Sequence, residues 1–136
     1  MGVNKDFWKD KKVLITGHTG FKGSWLSLWL KLLRSEILGF SFDRKKESDL
    51  FSRLQLESEM QNCFGDIRNL DLLSKTINHF QPEIIIHLAA QSIVRDAYEK
   101  PLETFSTNIL GTANLLEATK NIKSVKSILI LSLIHI

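Results

Sequence analysis

At 136 residues and 43% hydrophobic, the chain has the length of one ordinary domain and enough apolar material for a core. Its net charge of +3 is spread out, and Lys9, Lys11 and Lys12, like Arg44-Lys45-Lys46, read as solvated surface rather than a nucleic-acid footprint. A single cysteine, Cys63, excludes an internal disulfide and suits a reducing cytoplasm; the stretch 4–12 is too polar for a secretory signal, and the apolar run 25–33, broken by Ser27 and Lys31, is too short to span a bilayer.

The first element is a strand over 12–16, carried by Val13-Leu14-Ile15. It runs into Gly17-His18-Thr19-Gly20-Phe21-Lys22-Gly23 and then into a helical pattern. A strand that reverses quickly into a helix favours Gly17 at the tight turn. Gly20 lets the backbone approach a phosphate, and Gly23 lets the helix pack closely on the strand. The free N–H groups of the first helical turn then face an anion, assisted by the helix dipole. The spacing is Gly-x-x-Gly-x-x-Gly, not the more familiar Gly-x-Gly-x-x-Gly, so its position between strand and helix makes it a dinucleotide signal rather than a bare βα turn.

The helix is expected over 22–34, with Trp25, Leu28, Trp29, Leu32 and Leu33 as a stripe facing the core. A second strand is expected over 36–42. Asp43 follows, 20 residues after Gly23, where a carboxylate can accept hydrogen bonds from an adenosine ribose; this favours NAD over NADP. Arg44 beside it is where an arginine would meet a 2′-phosphate, and a solvated loop pair is the other reading. A short helix over 48–56 and a third strand over 60–64 come next. Gly65-Asp66-Ile67 then offers Asp66 either to the adenine amino group or as the N-cap of the following helix, 69–80, whose core positions are Leu70, Leu73, Ile77 and Phe80. Pro82 ends that helix.

The β-branched run 83–87 reads as a buried parallel strand. After it, Leu88, Ala89, Ala90 and Gln91 leave room for a cofactor's backbone. His87 reads as a structural histidine rather than a base, because no orienting partner stands near it in sequence. Pro101 starts a helix running to about residue 122, and Asn108, a poor helix former next to Thr107, calls for a hydrogen bond toward the sheet or the site. A fifth strand is expected over 127–131. This alternation predicts an α/β, Rossmann-type, doubly wound parallel sheet of strand order 3-2-1-4-5, with the ligand at the carboxyl ends near strands one and four. No linker and no repeat interrupts it.

Thr16-Gly17-x-x-Gly20-x-x-Gly23, Gly65-Asp66-Ile67-Arg68, His87-Leu88-Ala89-Ala90-Gln91 and Thr104-x-x-x-Asn108-x-x-Gly111-Thr112, in this order, resemble the extended short-chain dehydrogenase/reductases, the sugar-nucleotide epimerases and dehydratases. Phe7-Trp8-Lys9, the run from Gly17 to Leu26 and Phe80-Gln81-Pro82-Glu83-Ile84 are similar to the CDP-glucose 4,6-dehydratase branch of that family, over nearly the whole chain up to about Ile130. The resemblance implies a tightly held, recycled NAD and a lyase reaction: oxidation at C4 of the hexose, loss of the C6 hydroxyl and reduction at C6, giving CDP-4-keto-6-deoxyglucose. It implies that Gly17, Thr19, Gly20, Phe21, Lys22 and Gly23 line the pyrophosphate, and that Asp66 and Ile67 flank adenine. Leu88, Ala89, Ala90 and Gln91 would run along the ribose and phosphate side, with Thr107 and Asn108 near the nicotinamide half or supporting it.

The end of the chain departs from that pattern. Ser132 stands where the family's Thr/Ser-Ser-Asp-Lys type motif begins, but Leu133, Ile134 and His135 replace its polar residues. The only tyrosine, Tyr98, is in no Tyr-x-x-x-Lys pair, so neither the tyrosinate nor its lysine is present, and His135 has no positioned partner that would make it a base. The expectation is an N-terminal part, residues 1–136, with an incomplete NAD-binding domain, no substrate domain, no catalytic residue and no metal site. A non-catalytic dinucleotide-binding module, or a part of another such enzyme (a GDP-mannose 4,6-dehydratase or an epimerase), are the alternatives. A fifth strand left as an apolar edge would promote association, and the full-length protein is expected to be a homo-oligomer.

Overall fold

The computed structural model describes residues 4–42 and 50–131. Asn4 caps a short helix α1 (Lys5–Trp8) by accepting from the amides of Asp6 and Phe7. Strand β1 (Lys12–Thr16) follows as expected, with Val13, Leu14 and Ile15 fully buried. An unbroken apolar run suits a strand that is covered on both faces. β2 (Glu36–Ser41), β3 (Gln61–Phe64), β4 (Ile84–His87) and β5 (Ser127–Ile130) complete one parallel sheet of order β3-β2-β1-β4-β5, the order expected from the sequence.

Two cores lie on opposite faces of the sheet. Val13, Ile15, Ile37 and Ile86 pack with Leu30 of helix α2 (Phe21–Leu32). Leu14, Leu38, Phe40 and Ile85 pack with Leu73, Ile77 and Phe80 of α4 (Leu70–Phe80) and Leu115 and Ala118 of α7 (Gly111–Thr119). Asn69 caps α4 by accepting from the Leu72 amide. Asp66 is therefore not that cap, contrary to one of its two sequence readings. The left-handed Gln81, φ 54°, and Pro82 then stop the helix.

The helix after the glycine turn corrects the expected stripe. Gly23, Ser24, Ser27 and Leu30 are its buried residues, while Trp25, Trp29 and Leu32 are 50%, 44% and 71% exposed. Of the predicted stripe only Leu33 is buried. The reason is spacing: a Cβ on Gly23 would stand 2.2 Å from the Gly17 carbonyl oxygen, so only small residues fit the inner side where the helix starts, and a large one, Leu30, enters farther along. The buried serines are satisfied within the helix, Ser24 Oγ donating to the Gly20 carbonyl and Ser27 Oγ to that of Gly23, each at 2.8 Å. Helical period identifies a face but not the direction in which it points.

Of the short helix expected over 48–56, the described part is α3 (Leu50–Arg53) and a 3₁₀ turn (Leu56–Ser58). Helix α5 (Val94–Glu99) was not anticipated. The long helix expected from Pro101 begins there but has three parts, α6 (Pro101–Phe105), a π-helical segment (Ser106–Leu110) and α7. At the opposite, amino-terminal edge of the sheet, Glu83 receives the ammonium groups of Lys11 at 3.0 Å and Lys126 at 3.1 Å and the Lys12 amide at 3.4 Å. These donors hold its carboxyl down at a pKa of about 2. Among the described residues β5 pairs only with β4, and Leu129 is 56% exposed. No described helix is long and apolar enough to cross a membrane.

Candidate functional site

A cleft of about 1020 Å³ opens at the carboxyl ends of the strands. One wall comes from the β1–α2 turn and the ends of β2 and β3; the other comes from the loop after β4, α5 and the π-helical segment. This is the crevice where open α/β sheets take their ligands.

The turn is tight because side chains are missing from it. Gly17 lies at φ +75°, and a Cβ there would stand 2.8 Å from the Ala89 nitrogen and 2.9 Å from the Leu88 carbonyl carbon. Its own N–H donates to the Phe40 carbonyl at 2.7 Å, pinning the turn to β2. Gly20 donates to the Gly17 carbonyl at 3.1 Å and stands at the helix N-cap, where no side chain caps the helix. The first-turn amides of a helix have no intrahelical acceptor and carry its positive pole. The Thr19 amide donates to Ser41 Oγ at 3.3 Å, tying the turn to the end of β2. Phe21 and Lys22 are exposed at the rim.

His18, within the turn, is fully buried. Its ring would occupy the Cβ position of any side chain at Gly39, meets Phe51 edge-on at 5.1 Å and lies 5.8 Å from Phe64. Neither ring nitrogen has a hydrogen-bond partner. Burial pushes its pKa from 6.5 to about 4, and the nearby Phe40 carbonyl and Asn62 oppose that shift without reaching hydrogen-bonding geometry.

After β3, Asp66 accepts from Arg68: its Oδ2 meets Arg68 Nη2 at 2.6 Å, and its Oδ1 takes the Arg68 amide at 2.8 Å. The guanidinium holds the Asp66 carboxyl below its usual range. Ile67 is 5% exposed and packs on Gly111, where a Cβ would stand 2.5 Å from Ile67 Cγ2. Asn114 Nδ2 donates to the carbonyls of Ile67 and Arg68, holding this stretch of the cleft against α7.

On the opposite wall His87 is buried, with burial lowering its pKa. Its Nδ1 lies 2.6 Å from Thr16 Oγ1 and its Nε2 3.1 Å from Thr112 Oγ1. No partner stands near His87 in sequence, as expected; the two it has lie 71 and 25 residues away. Asn108 sits in the π-helical segment. Its Oδ1 accepts from the Gln91 amide at 2.7 Å and its Nδ2 donates to the Gln91 carbonyl at 3.1 Å, the hydrogen bonding that its place in a helix called for. π-Helical turns recur at functional sites.

The cleft brings together Gly17, Thr19, Gly20, Phe21, Lys22, Gly23, Asp66, Ile67, Leu88, Ala89, Ala90, Gln91 and Asn108, all singled out from the sequence. Asp43 and Arg44, and at the other end Ser132 to His135, lie outside the described residues. Ser41 and Asn114 were missed, and Thr16 and Thr112 were quoted only as parts of motifs. All four act through side-chain hydrogen bonds to distant segments, and only the Thr16-Gly17 and Gly111-Thr112 pairs gave any local signal. No group of acidic, histidine or cysteine side chains among the described residues is placed to hold a metal.

Residues 14–133 match the family model described as GDP-mannose 4,6 dehydratase. The chain is 45% identical over 126 residues to the CDP-glucose 4,6-dehydratase of Salmonella typhimurium, covering 93% of this chain and 35% of that protein. It is 34% identical over 128 residues to the dTDP-D-glucose 4,6-dehydratase of Dictyostelium discoideum, covering 92% of this chain and 30% of the relative. The chain thus spans about a third of the length of these relatives. Its fold superposes on UDP-glucose 4-epimerase of Thermus thermophilus, solved in complex with NAD, with TM-score 0.75 and 28% identity, over 85% of this chain and 36% of that one.

Proposed function

Because the chain belongs to the GDP-mannose 4,6 dehydratase family, we propose that it is the NAD-binding part of a nucleotide-sugar 4,6-dehydratase that acts, as a whole protein, on CDP-glucose. The observation that carries the reading is the glycine turn. Gly17 and Gly23 admit no Cβ, and the uncapped helix start at Gly20 opens on the cleft. That is a cradle for a pyrophosphate, and the cleft volume suits a ligand of dinucleotide size.

On this reading the first-turn amides from Phe21 to Gly23 hold the pyrophosphate, and Asp66 with Ile67 flanks the adenine. Leu88 to Gln91 border the ribose side, and Asn108 supports the far end. NAD supplies reversible oxidation of a sugar carbon when bound. The preference for NAD over NADP rests on Asp43, just beyond β2, whose carboxylate would meet a 2′-phosphate with like charge. CDP-glucose rests on the 45% identity to the Salmonella enzyme. A cytoplasmic location rests on the single Cys63, and association of this chain with copies of itself on the exposed apolar β5 edge.

Titration calorimetry tests the reading. The folded chain is expected to bind NAD at least about tenfold more tightly than NADP, a gap of roughly 1.4 kcal/mol. A folded chain that binds neither would overturn the cofactor reading, and one preferring NADP would overturn the role of Asp43.

A further inference from the structure

We propose that His87 and Thr112 are positioning residues, holding the loop 88–91 against the π-helical segment through a chain of hydrogen bonds with one fixed direction; this rests on the reading that the cleft takes NAD. The direction follows from counting protons. A threonine hydroxyl has one hydrogen to give. That of Thr112 goes to the Asn108 carbonyl at 2.7 Å, an atom that only accepts. The contact between Thr112 Oγ1 and His87 Nε2 at 3.1 Å therefore requires the ring to donate, so Nε2 carries the proton.

In the neutral ring Nδ1 is then a bare acceptor, and its 2.6 Å partner, Thr16 Oγ1, must donate to it. The lone pairs of Thr16 Oγ1 are left for the Ala89 amide at 3.2 Å and for the Leu88 amide, which is shared between that oxygen at 3.2 Å and the Thr16 carbonyl at 3.0 Å. The hydroxyl and ring protons thus run in one direction, from the first residues of the loop to the carbonyl of Asn108. The Asn108 side chain closes the ring by gripping both backbone polar atoms of Gln91. The loop is thus held at its start by Thr16 and at Gln91 by Asn108, with His87 and Thr112 linking the two anchors. Its small residues, Ala89 and Ala90, contribute little packing of their own, which leaves this network to set the far wall of the cleft.

Two measurements test this. Long-range ¹H–¹⁵N spectra of the labelled chain, assigned with His87→Gln, should show His87 as the neutral Nε2–H tautomer; an Nδ1–H tautomer would overturn the proposal. Calorimetry should show Thr112→Val weakening NAD about fivefold to tenfold, the scale of one lost hydrogen bond, with ADP affinity within about twofold of wild type. Thr112→Ser should restore NAD binding. A merely structural role would weaken both ligands alike, and that result, or no change in either, would overturn the positioning role. A wild-type chain that binds neither ligand would overturn the NAD reading, and this proposal with it.

Discussion

The two walls of the cleft are built by opposite means. The wall at the β1–α2 turn is shaped by atoms that are missing: Gly17, Gly23 and Gly39 each sit where a Cβ would come within 3 Å of a neighbour. The wall beyond β4 is shaped by atoms that are present, the hydroxyl, imidazole and amide groups of Thr16, His87, Thr112 and Asn108. A wall defined by close backbone packing resists any enlargement but needs no particular polar chemistry. A wall defined by hydrogen bonds tolerates a change of volume better than the loss of one partner.

The largest effect is expected where the first wall is enlarged. Gly17→Ala combines a left-handed backbone, costing about 1–2 kcal/mol, with crowding worth roughly 1–3 kcal/mol against Leu88 and Ala89. Urea unfolding should therefore show a loss of about 3 kcal/mol, with NAD binding abolished; a loss under about 1 kcal/mol would mean the turn is less constrained than its geometry requires.

Next comes acidification. His18 has its folded pKa lowered to about 4, so between pH 6.5 and 4 the unfolded chain binds a proton that the folded chain does not. Its contribution is complete above about pH 6.5 and is lost as the pH falls through that window. His87, also lowered, acts in the same direction. The carboxylates of Glu83 and Asp66, both lowered, lose their contribution only at more acid pH. The stability lost between pH 7 and pH 5 should be about 2 kcal/mol from His18 alone, and His18→Leu should flatten most of that slope in unfolding curves.

The smallest effect on stability belongs to the second wall. Asn108→Ala is expected to cost about 1 kcal/mol in unfolding, yet to weaken NAD about tenfold by releasing Gln91. If it destabilised the chain as much as Gly17→Ala, the two walls would not differ as described.

The same contrast explains what the sequence made legible. Glycines at fixed spacing after an apolar run are local, and so were the strands, their order and the turn. The hydrogen-bonding wall is not local: Thr16 and His87 meet across the β1–β4 pair, and Thr112 reaches His87 only because α7 lies over β4. Asn108 gave half a signal, since an asparagine within a helix asks for a partner without naming it. The α2 stripe misled because serines, counted as polar, took the inner side by virtue of size. His18 gave none, because its burial depends on Gly39 leaving space for the ring.

The Glu83 cluster gives the sheet a heel and a toe. Three strands are bound together at the heel by one carboxylate, gripped by the ammonium groups of the segments that lead into β1 and β5. Among the described residues the toe, where the cleft opens, has no such ionic clasp across β1, β4 and β5. Salt, which screens the half-exposed ammonium contacts at the heel, would loosen the molecule at the end farthest from its chemistry.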